Sequence, residues 1–426
     1  MKDLLKRALK AVRNPRLVWH GALVRMPHVF KVSHRVVVTR VGIVRAKYVR
    51  KKFENTQIGL SCFEREILAD EIFSGFYWKP PVVRKGPLWF DRPFYPERKR
   101  LDLLGPNLPE ATRRSIAAQA VFILFDIFLA GYAHRDIHCK NMYLIDGKLK
   151  LTDYEWLEAY PKNKRPPFPL CYDITGKGLE SPRRTSNMCY SHEGAISLQN
   201  VLGVPADHAI DEFKKKLKDK LRRACETFAS GKKRHVCRSR RIYSSFRLPY
   251  FSVEVSEAQR DSEKRLRALG INKDTIENKT VLDLGSNIGG IIFEIQKYEP
   301  AKCVGVEYDT DKLSLATQIA AFNGIEKITF IQADIDSLDA ESLNGPFDVV
   351  FCLAIGAHMK KPGQLFRLLS QVSRGVLYFE GNGNSDPEKI EHELTSVGFI
   401  EVKHLGVGDD DCIPTNNCRP MLRAKK

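Results

Sequence analysis

The stretch of sequence that most constrains the fold is residues 281–290, VLDLGSNIGG. A strand-like segment leads there into a turn with glycines at positions 285, 289 and 290. From this point the chain alternates strand-like and helix-like segments, with strands predicted at 281–284, 303–307, 328–332, 348–353 and 375–380. Such alternation is typical of an α/β doubly wound, Rossmann-like parallel sheet, which binds its ligand at the carboxyl ends of the strands.

The turn after the first of these strands contains the first candidate cofactor-binding residues. The strand is expected to end at Asp283, and the chain then turns through Gly285. Asn287 and Gly289 lie in the same loop, where small residues let the backbone approach a cofactor closely. We therefore expect these four residues to line a nucleotide-type cofactor.

Three further candidates follow later strands. Glu307 ends the second strand, where an acidic side chain would bind two ribose hydroxyls. Asp334 follows the third strand. His358 follows the fourth strand and is the nearest candidate base for a hydroxyl acceptor, although an ordinary loop histidine fits the sequence equally well.

This ordered series resembles the class I S-adenosylmethionine-dependent methyltransferases over residues 240–426. The resemblance implies S-adenosylmethionine as the cofactor, with Asp334 in contact with its adenine amine, and transfer of its methyl group to an acceptor. Segments 242–247 and 261–265 resemble the leading segment that covers the cofactor in several small methyltransferases. Residues 416–420 are predicted to form a polar turn over the acceptor, with Arg419 as a phosphate or carboxylate clamp.

A second signature lies upstream, with HRDIHCKN at 134–141 and LTDY at 151–154. Phosphoryl transfer needs positioned charges around the phosphates and an acceptor hydroxyl held by a base. Asp136 is the predicted base, and Asn141 and Asp153 are the predicted metal ligands. Residues 145–150 between them, with Asp146 and Gly147 as a turn, predict a hairpin.

A lysine and a glutamate further upstream complete this constellation. We expect Lys51 to bind phosphate and to pair with Glu66, with Lys47 and Lys52 as alternatives because the strand register is open. The region 30–230 resembles the protein-kinase-like superfamily, in particular its lipopolysaccharide and small-molecule kinases. The resemblance implies an α+β bilobal fold that binds ATP and Mg²⁺. Tyr154 and Glu155 replace the family's Phe-Gly, and a catalytically inactive pseudokinase is the alternative.

Charge and composition bound the organisation of the chain. Residues 256–426 carry 20 Lys and Arg and 26 Asp and Glu, a net charge of −6. Because the net charge of the whole chain is +18, residues 1–255 have a net charge of +24. The predicted parts are a basic amphipathic lead at 1–30, the kinase-like domain at 31–230, a basic linker at 231–255 and the methyltransferase domain at 256–426. The lead predicts either a helix on an anionic membrane surface or one packed on its own domain.

The domain pairing resembles that of the bifunctional kinase–methyltransferases that terminate bacterial O-antigen chains. It implies ATP-dependent phosphorylation and then methylation of a glycan or lipid-linked glycan. The alternatives are an RNA-modifying methyltransferase, since the basic charge leaves nucleic acid as a partner, and a methyltransferase regulated by a pseudokinase. The 10 cysteines form no CxxC pair and no segment has the length and apolar composition of a membrane span, so we expect a cytoplasmic protein. If the lead lies on a membrane surface, that surface is the inner face of the membrane.

Overall fold

The computed structural model describes residues 29–32, 36–41, 47–162, 164–179, 188–226 and 240–426. The described residues form two compact units, one within residues 1–165 and 170–212, the other within residues 166–169 and 213–426. Most of the predicted amphipathic lead, and residues 231–239 of the predicted linker, lie outside the described residues. Across the parts of the chain that the structure describes, no helix is both long enough and apolar enough to cross a bilayer.

The first unit begins with an antiparallel sheet of five strands in the order β1-β2-β3-β5-β4. Its strands are β1 (Val29–Val32), β2 (Val36–Val41), β3 (Tyr48–Phe53), β4 (Arg84–Gly86) and β5 (Trp89–Pro93). The central strand β3 alternates, so that Val49, Lys51 and Phe53 are buried and Lys52 is exposed. Helix α1 (Gln57–Phe73) follows, capped by the Thr56 hydroxyl, which accepts from the Gly59 N–H at 3.1 Å.

The rest of the first unit is mainly helical. Its elements are α2 (Leu101–Leu104), α3 (Glu110–Leu129), β6 (Tyr132–Ala133), β7 (Met142–Ile145), β8 (Lys148–Leu151), β9 (Glu158–Ala159), α4 (Tyr172–Thr175) and α5 (Leu198–Leu202). The predicted hairpin is confirmed, because β7 pairs antiparallel with β8. Asp146 and Gly147 both have positive φ, as a tight two-residue turn requires.

Helix α6 (Ala206–Glu226) leads into the second unit, which contains a sheet of seven strands. Its strands are β12 (Thr280–Leu284), β13 (Lys302–Glu307), β14 (Ile328–Gln332), β15 (Phe347–Leu353), β16 (Ser373–Glu380), β17 (Glu401–Val407) and β18 (Pro420–Lys425), in the order β14-β13-β12-β15-β16-β18-β17. The first five strands in this order are parallel, which confirms the predicted Rossmann-like sheet. The two antiparallel strands at the edge were not predicted.

Helices cover this sheet. They are α7 (Ser262–Ala268), α8 (Lys273–Ile276), α9 (Gly290–Glu294), α10 (Thr310–Phe322), α11 (Pro362–Val372) and α12 (Pro387–Ser396). Two buried apolar clusters form the core, one containing Val304, Val350 and Leu369, the other Ile292 and Phe351. Apolar side chains on both faces explain why these strands read as nearly continuous apolar runs.

From the sequence, residues 256–269 are predicted to form one helix, and this prediction is wrong in its first half. Residues 258–260 form strand β11 (Ala258–Arg260), which pairs in parallel with β10 (Ile242–Ser244), and helix α7 begins only at Ser262. The Asp261 carboxylate caps that helix by accepting from the Lys264 N–H at 3.0 Å. Pairing with a strand 16 residues upstream is a non-local contact, so local propensity did not reveal it.

Candidate functional site

The loop after β12 has the backbone conformation that its glycines predict. Gly285 and Gly289 have φ of +76° and +81°, and Asn287 has φ of +52°. The N–H groups of Gly285 and Ser286 both donate to the Val306 carbonyl at 2.9 Å, which ties the loop to the neighbouring strand β13. A Cβ at Gly285 would lie 2.5 Å from Cγ2 of Ile355, so only glycine fits between this loop and the one after β15.

The carboxylate of Glu307 organises the same loop. Its Oε2 accepts from the Asn287 N–H at 2.8 Å, and its Oε1 accepts from the Asp309 N–H at 2.9 Å. Glu307 therefore stands beside the glycine loop, as a ribose-binding acid would have to. Neither the two backbone contacts nor the part of Asp309, whose own carboxylate caps helix α10, was predicted from the sequence.

Asp283 lies inside the sheet at the carboxyl end of β12 and is 4% exposed. Burial raises the pKa of its carboxyl to about 7, with Arg265 opposing the rise and Glu307 adding to it. Burial therefore favours the protonated form of this carboxyl. Asp283, Gly285, Asn287, Gly289 and Glu307 come together at one end of β12 and β13, and their part in cofactor binding stays a prediction.

The other two candidates lie on loops at the same edge of the sheet. Asp334 is half-buried, and its side chain accepts from the Asp336 N–H at 3.3 Å at the start of a short 3₁₀ turn. His358 is exposed and ends the turn Gly356–His358, which follows Ile355. Its role as a base stays a prediction.

The segment before the sheet packs on the glycine loop. A Cβ on Gly290 would lie 2.3 Å from Cβ of Ser244, which shows how closely the two backbones approach. The Ser245 hydroxyl accepts from the Ser262 N–H at 3.0 Å, and Glu294 of α9 accepts from the Arg247 N–H at 2.9 Å. The two segments that the sequence singled out, 242–247 and 261–265, therefore meet beside the candidate cofactor site.

A buried ionic cluster, which sequence reasoning missed, lies at the carboxyl end of β16. Glu380 is 0% exposed and accepts from Arg260 Nη2 at 3.0 Å and from Arg265 Nε at 2.6 Å. Arg260 also forms a bidentate pair with Asp410, at 2.6 and 2.8 Å. The arginines keep the pKa of Glu380 and of Asp410 below their usual values despite burial, so both carboxylates are ionised. Arg419 reaches Glu380 at 3.5 Å.

A second group of charged residues lies in the first unit around Lys51. Its Nζ is 2.5 Å from Glu66 Oε1, 2.6 Å from Asp153 Oδ1 and 2.7 Å from Glu155 Oε1. Burial by itself would lower the pKa of Lys51, but the three carboxylates outweigh it and raise the pKa above its usual value. The structure thus pairs Lys51 with Glu66, whereas Lys47 and Lys52 are exposed.

The same group contains more carboxylates than cations. Oxygens of Glu66, Asp153 and Glu155 lie within 4.8 Å of one another and could hold a metal ion. Burial and the neighbouring negative charges raise the pKa of Glu155, while Lys51 opposes the rise. In the sequence, Glu155 was noted only as a departure from the kinase pattern. Its position two residues after Asp153 could have indicated a second acidic ligand for a metal ion.

The HRD loop brings the predicted base and one predicted metal ligand together. Asn141 Nδ2 donates to Asp136 Oδ2 and to the Asp136 carbonyl, both at 3.1 Å. His138 Nε2 lies 3.5 Å from the same oxygen of Asp136. Contacts to Oδ2 fix the carboxylate of Asp136 in one orientation.

Asp173 anchors this loop, although the sequence analysis did not select it. It is 2% exposed, and its two oxygens accept from the backbone N–H groups of His134 and Arg135 at 2.7 and 2.8 Å. Burial raises the pKa of Asp173 to about 6 although both N–H contacts oppose the rise. The backbone of Arg135 has φ of +67°, a conformation that residues other than glycine rarely adopt.

Comparison with known proteins adds to this geometry. Residues 276–397 match a family model described as a methyltransferase domain. The chain is similar to protein-lysine N-methyltransferase EFM4 of Saccharomyces cerevisiae, at 40% identity over 76 residues, 17% of this chain and 32% of that protein. It is similar to tRNA U34 carboxymethyltransferase of Campylobacter lari, at 24% identity over 134 residues, 29% of this chain and 45% of that protein.

Two further similarities concern a kinase and a solved structure. The chain is 36% identical over 63 residues to testis-specific serine/threonine-protein kinase 3 of Mus musculus, 15% of this chain and 24% of that protein. The N-terminal domain of EvdMO1 with SAH bound aligns with 50% of this chain and 96% of its own length, at 16% identity and a TM-score of 0.35. The chain spans less than half the length of each of these curated relatives.

The family match falls on the part of the second unit that contains β12 to β16 and the glycine loop. The parallel strand order, the tight turn at Gly285 and the acid at the end of β13 agree with that match. The protein therefore carries a class I S-adenosylmethionine-dependent methyltransferase domain.

Proposed function

We propose that the protein joins this methyltransferase to an ATP-dependent phosphotransferase and that both act on a glycan or lipid-linked glycan. The observation that carries the second activity is Lys51, whose ammonium contacts both Glu66 and Asp153. Phosphoryl transfer needs such a lysine for the nucleotide phosphates and a nearby carboxylate for Mg²⁺. The similarity of 63 residues to a serine/threonine-protein kinase favours the same proposal.

In this proposal each residue of the first unit has one role. Asp153 and Asn141 would hold Mg²⁺, and Glu66 keeps Lys51 aimed at the phosphates. Asp136 accepts the proton of the acceptor hydroxyl as that oxygen attacks the terminal phosphorus of ATP, and ADP leaves. Asp173 contributes by fixing the backbone of the loop that carries Asp136.

The methyltransferase domain would then cap the phosphorylated product. S-adenosylmethionine supplies an activated methyl group on a sulfonium, and the protein contributes proximity and alignment. The loop from Gly285 to Gly289 and the Glu307 carboxylate are the residues that would hold the cofactor. A phosphate acceptor is already ionised and needs no base, whereas a hydroxyl acceptor would call on His358.

The glycan acceptor rests on the resemblance in domain pairing alone. An RNA acceptor is the second candidate, favoured by the net charge of +24 on residues 1–255. Binding to RNA that weakens steeply with salt would support that candidate. The third candidate function is a methyltransferase whose first unit lacks phosphotransfer activity and regulates methyl transfer. Failure to bind ATP would support this candidate.

The test uses the full chain with labelled ATP, Mg²⁺ and labelled S-adenosylmethionine on glycan and membrane extracts. We expect Asp136→Ala to abolish phosphoryl transfer and to leave nucleotide binding nearly intact, because the base does not hold the nucleotide. Asp146→Asn, on the exposed turn of the neighbouring hairpin, is the matched control. Phosphoryl transfer by Asp136→Ala at the parent rate would refute the assignment of the base.

Methyl transfer in the same assay tests whether the two activities act in sequence. We expect methyl incorporation only when ATP is present and only with an active first unit. If methylation proceeds equally well without ATP, the methyl acceptor is not the product of the phosphotransferase.

A further inference from the structure

The ionic cluster around Glu380 lies at the same edge of the sheet as the glycine loop. Strands β12, β15, β16 and β18 are neighbours in the sheet, so their loops are adjacent at its edge. The Glu380 carbonyl accepts from the Ala354 N–H at 2.8 Å, and the Gly381 N–H donates to the Pro420 carbonyl at 2.9 Å. Neighbouring strands are about 4.8 Å apart, which puts Glu380 roughly 10 Å from the end of β12.

Arginine 265 links the cluster to the cofactor end of the sheet. It forms an ion pair with Glu380, and its charge also opposes the rise in the pKa of Asp283. It is 3% exposed, so these interactions occur in a largely desolvated environment. The cluster and the candidate cofactor site are therefore electrostatically connected.

The cluster contains three arginines, Arg260, Arg265 and Arg419, and three buried carboxylates, because Asp411 Oδ2 also lies 3.7 Å from Arg260 Nε. Arg419 is the arginine that these carboxylates hold least tightly. Arg260 and Arg265 already satisfy Glu380, and Arg260 also binds Asp410 through two hydrogen bonds. Arg419 reaches only an oxygen of Glu380 that already accepts from Arg260, and it does so at 3.5 Å. Within the parts of the chain that the structure describes, Arg419 has no other side-chain acceptor.

One donor of Arg260 lacks an acceptor in this cluster. Nη1 of Arg260 is buried without a hydrogen-bond partner, and the side chain is 1% exposed. A buried charged donor that stays unpaired is costly, so it marks a place where a ligand oxygen would be favourable. The unpaired Arg260 donor and the weakly held Arg419 belong to the same cluster.

We propose that Arg419, supported by Arg260 and Arg265, forms a subsite that binds an anionic group of the methyl acceptor, a phosphate or a carboxylate. A guanidinium presents its donors in a planar fork that matches such groups, and the surrounding desolvation strengthens the contact. Glu380 holds Arg260 and Arg265 in place, so it acts as a positioning residue. The identity of the acceptor rests on the proposed function, but anion binding is measured without methyl transfer.

Titration calorimetry of phenyl phosphate into the full chain saturated with S-adenosylhomocysteine tests the proposal. We expect Arg419→Met to weaken the binding of phenyl phosphate at least tenfold. Arg419→Lys keeps the positive charge but loses the planar guanidinium, so its affinity for phenyl phosphate should lie between those of the parent and Arg419→Met. Arg423→Met, further along β18 and paired with Glu401 at 2.9 Å, is the control and should bind like the parent. Any phosphate site in the first unit is common to all four proteins and cancels in the comparison.

The affinity for S-adenosylhomocysteine separates the two sources of an anion. We expect it to be the same in the parent, Arg419→Met and Arg419→Lys. A tenfold loss of that affinity would instead assign Arg419 to the carboxylate of the cofactor and overturn the proposal. Equal binding of phenyl phosphate by Arg419→Met and the parent would also overturn it, whereas the proposed phosphotransferase would stand or fall by the ATP-dependent assay alone.

Discussion

Replacing Glu380 with alanine should destabilise the methyltransferase unit strongly. The side chain is completely buried, and it accepts from Arg260 at 3.0 Å and from Arg265 at 2.6 Å. Removing it leaves Arg265 buried without its carboxylate and Arg260 with Asp410 as its close partner. Breaking a buried pair in this way costs about 3–5 kcal/mol, because the remaining charge is uncompensated.

A surface glutamate in the same sheet offers a matched control. Glu401 also binds two cations, Arg423 at 2.9 Å and Lys425 at 2.7 Å, but its side chain is 48% exposed. Water screens such pairs, so Glu401→Ala should leave stability nearly unchanged. The two substitutions therefore remove similar charge contacts and differ mainly in burial.

Differential scanning calorimetry of the full chain resolves the comparison. For a unit of about 200 residues each kcal/mol lowers Tm by roughly 2–4 °C, so Glu380→Ala should lower the transition of the second unit by roughly 6–20 °C. The transition of the first unit serves as an internal reference. Equal shifts for Glu380→Ala and Glu401→Ala would refute the argument from burial.

Three further predictions concern the candidate sites. Glu307→Ala should weaken S-adenosylmethionine binding about 30-fold, or about 2 kcal/mol, in titration calorimetry. Substitution of the exposed Glu326 by alanine is the control and should leave the affinity unchanged. An unchanged affinity in Glu307→Ala would contradict the role of Glu307. Burial raises the pKa of Asp283 to about 7 from a usual value near 4, so its contribution to stability is complete below pH about 4 and is lost as the pH rises through 7. Asp283→Asn should remove a pH dependence of roughly 4 kcal/mol in denaturant unfolding between pH 4 and 8, and an identical dependence in both proteins would refute this. Asp173→Ala leaves two buried N–H groups unpaired and should lower the free energy of unfolding of the first unit by about 2–4 kcal/mol. A decrease of less than about 1 kcal/mol in that free energy would contradict the prediction.

The parallel part of the second sheet was predictable because its pattern is local. Each strand is a short apolar run, and each is followed by a helical segment that must cross over before the next parallel strand. The glycines at 285 and 289 were informative for the same reason, since a turn with positive φ favours glycine wherever it occurs. The predicted strand register around Lys51 remained open because one residue of slip exchanges the buried and exposed faces.

The ionic contacts were not predictable, because they join residues that are far apart in the chain. Arg260 and Asp410 are separated by 150 positions, and Lys51 and Asp153 by 102. Neither composition nor periodicity records which charged side chains leave water together. The same holds for Asp173, which reads as an ordinary acid near a short helix until the fold places it under the HRD loop.

The sequence by itself determined that parallel strands alternate with helices along the second unit. It also determined the two charged motifs of the first unit, at 134–141 and 151–154. Those features follow from local steric and hydrophobic rules that act within about 20 residues. Only the tertiary structure decided that β17 and β18 close the sheet, that Lys51 rather than Lys47 or Lys52 meets Glu66, and that Arg419 stands beside Glu380. Each of these depends on which distant backbone segments pack together, and the energy of a charge is set by that packing and not by its neighbours in sequence.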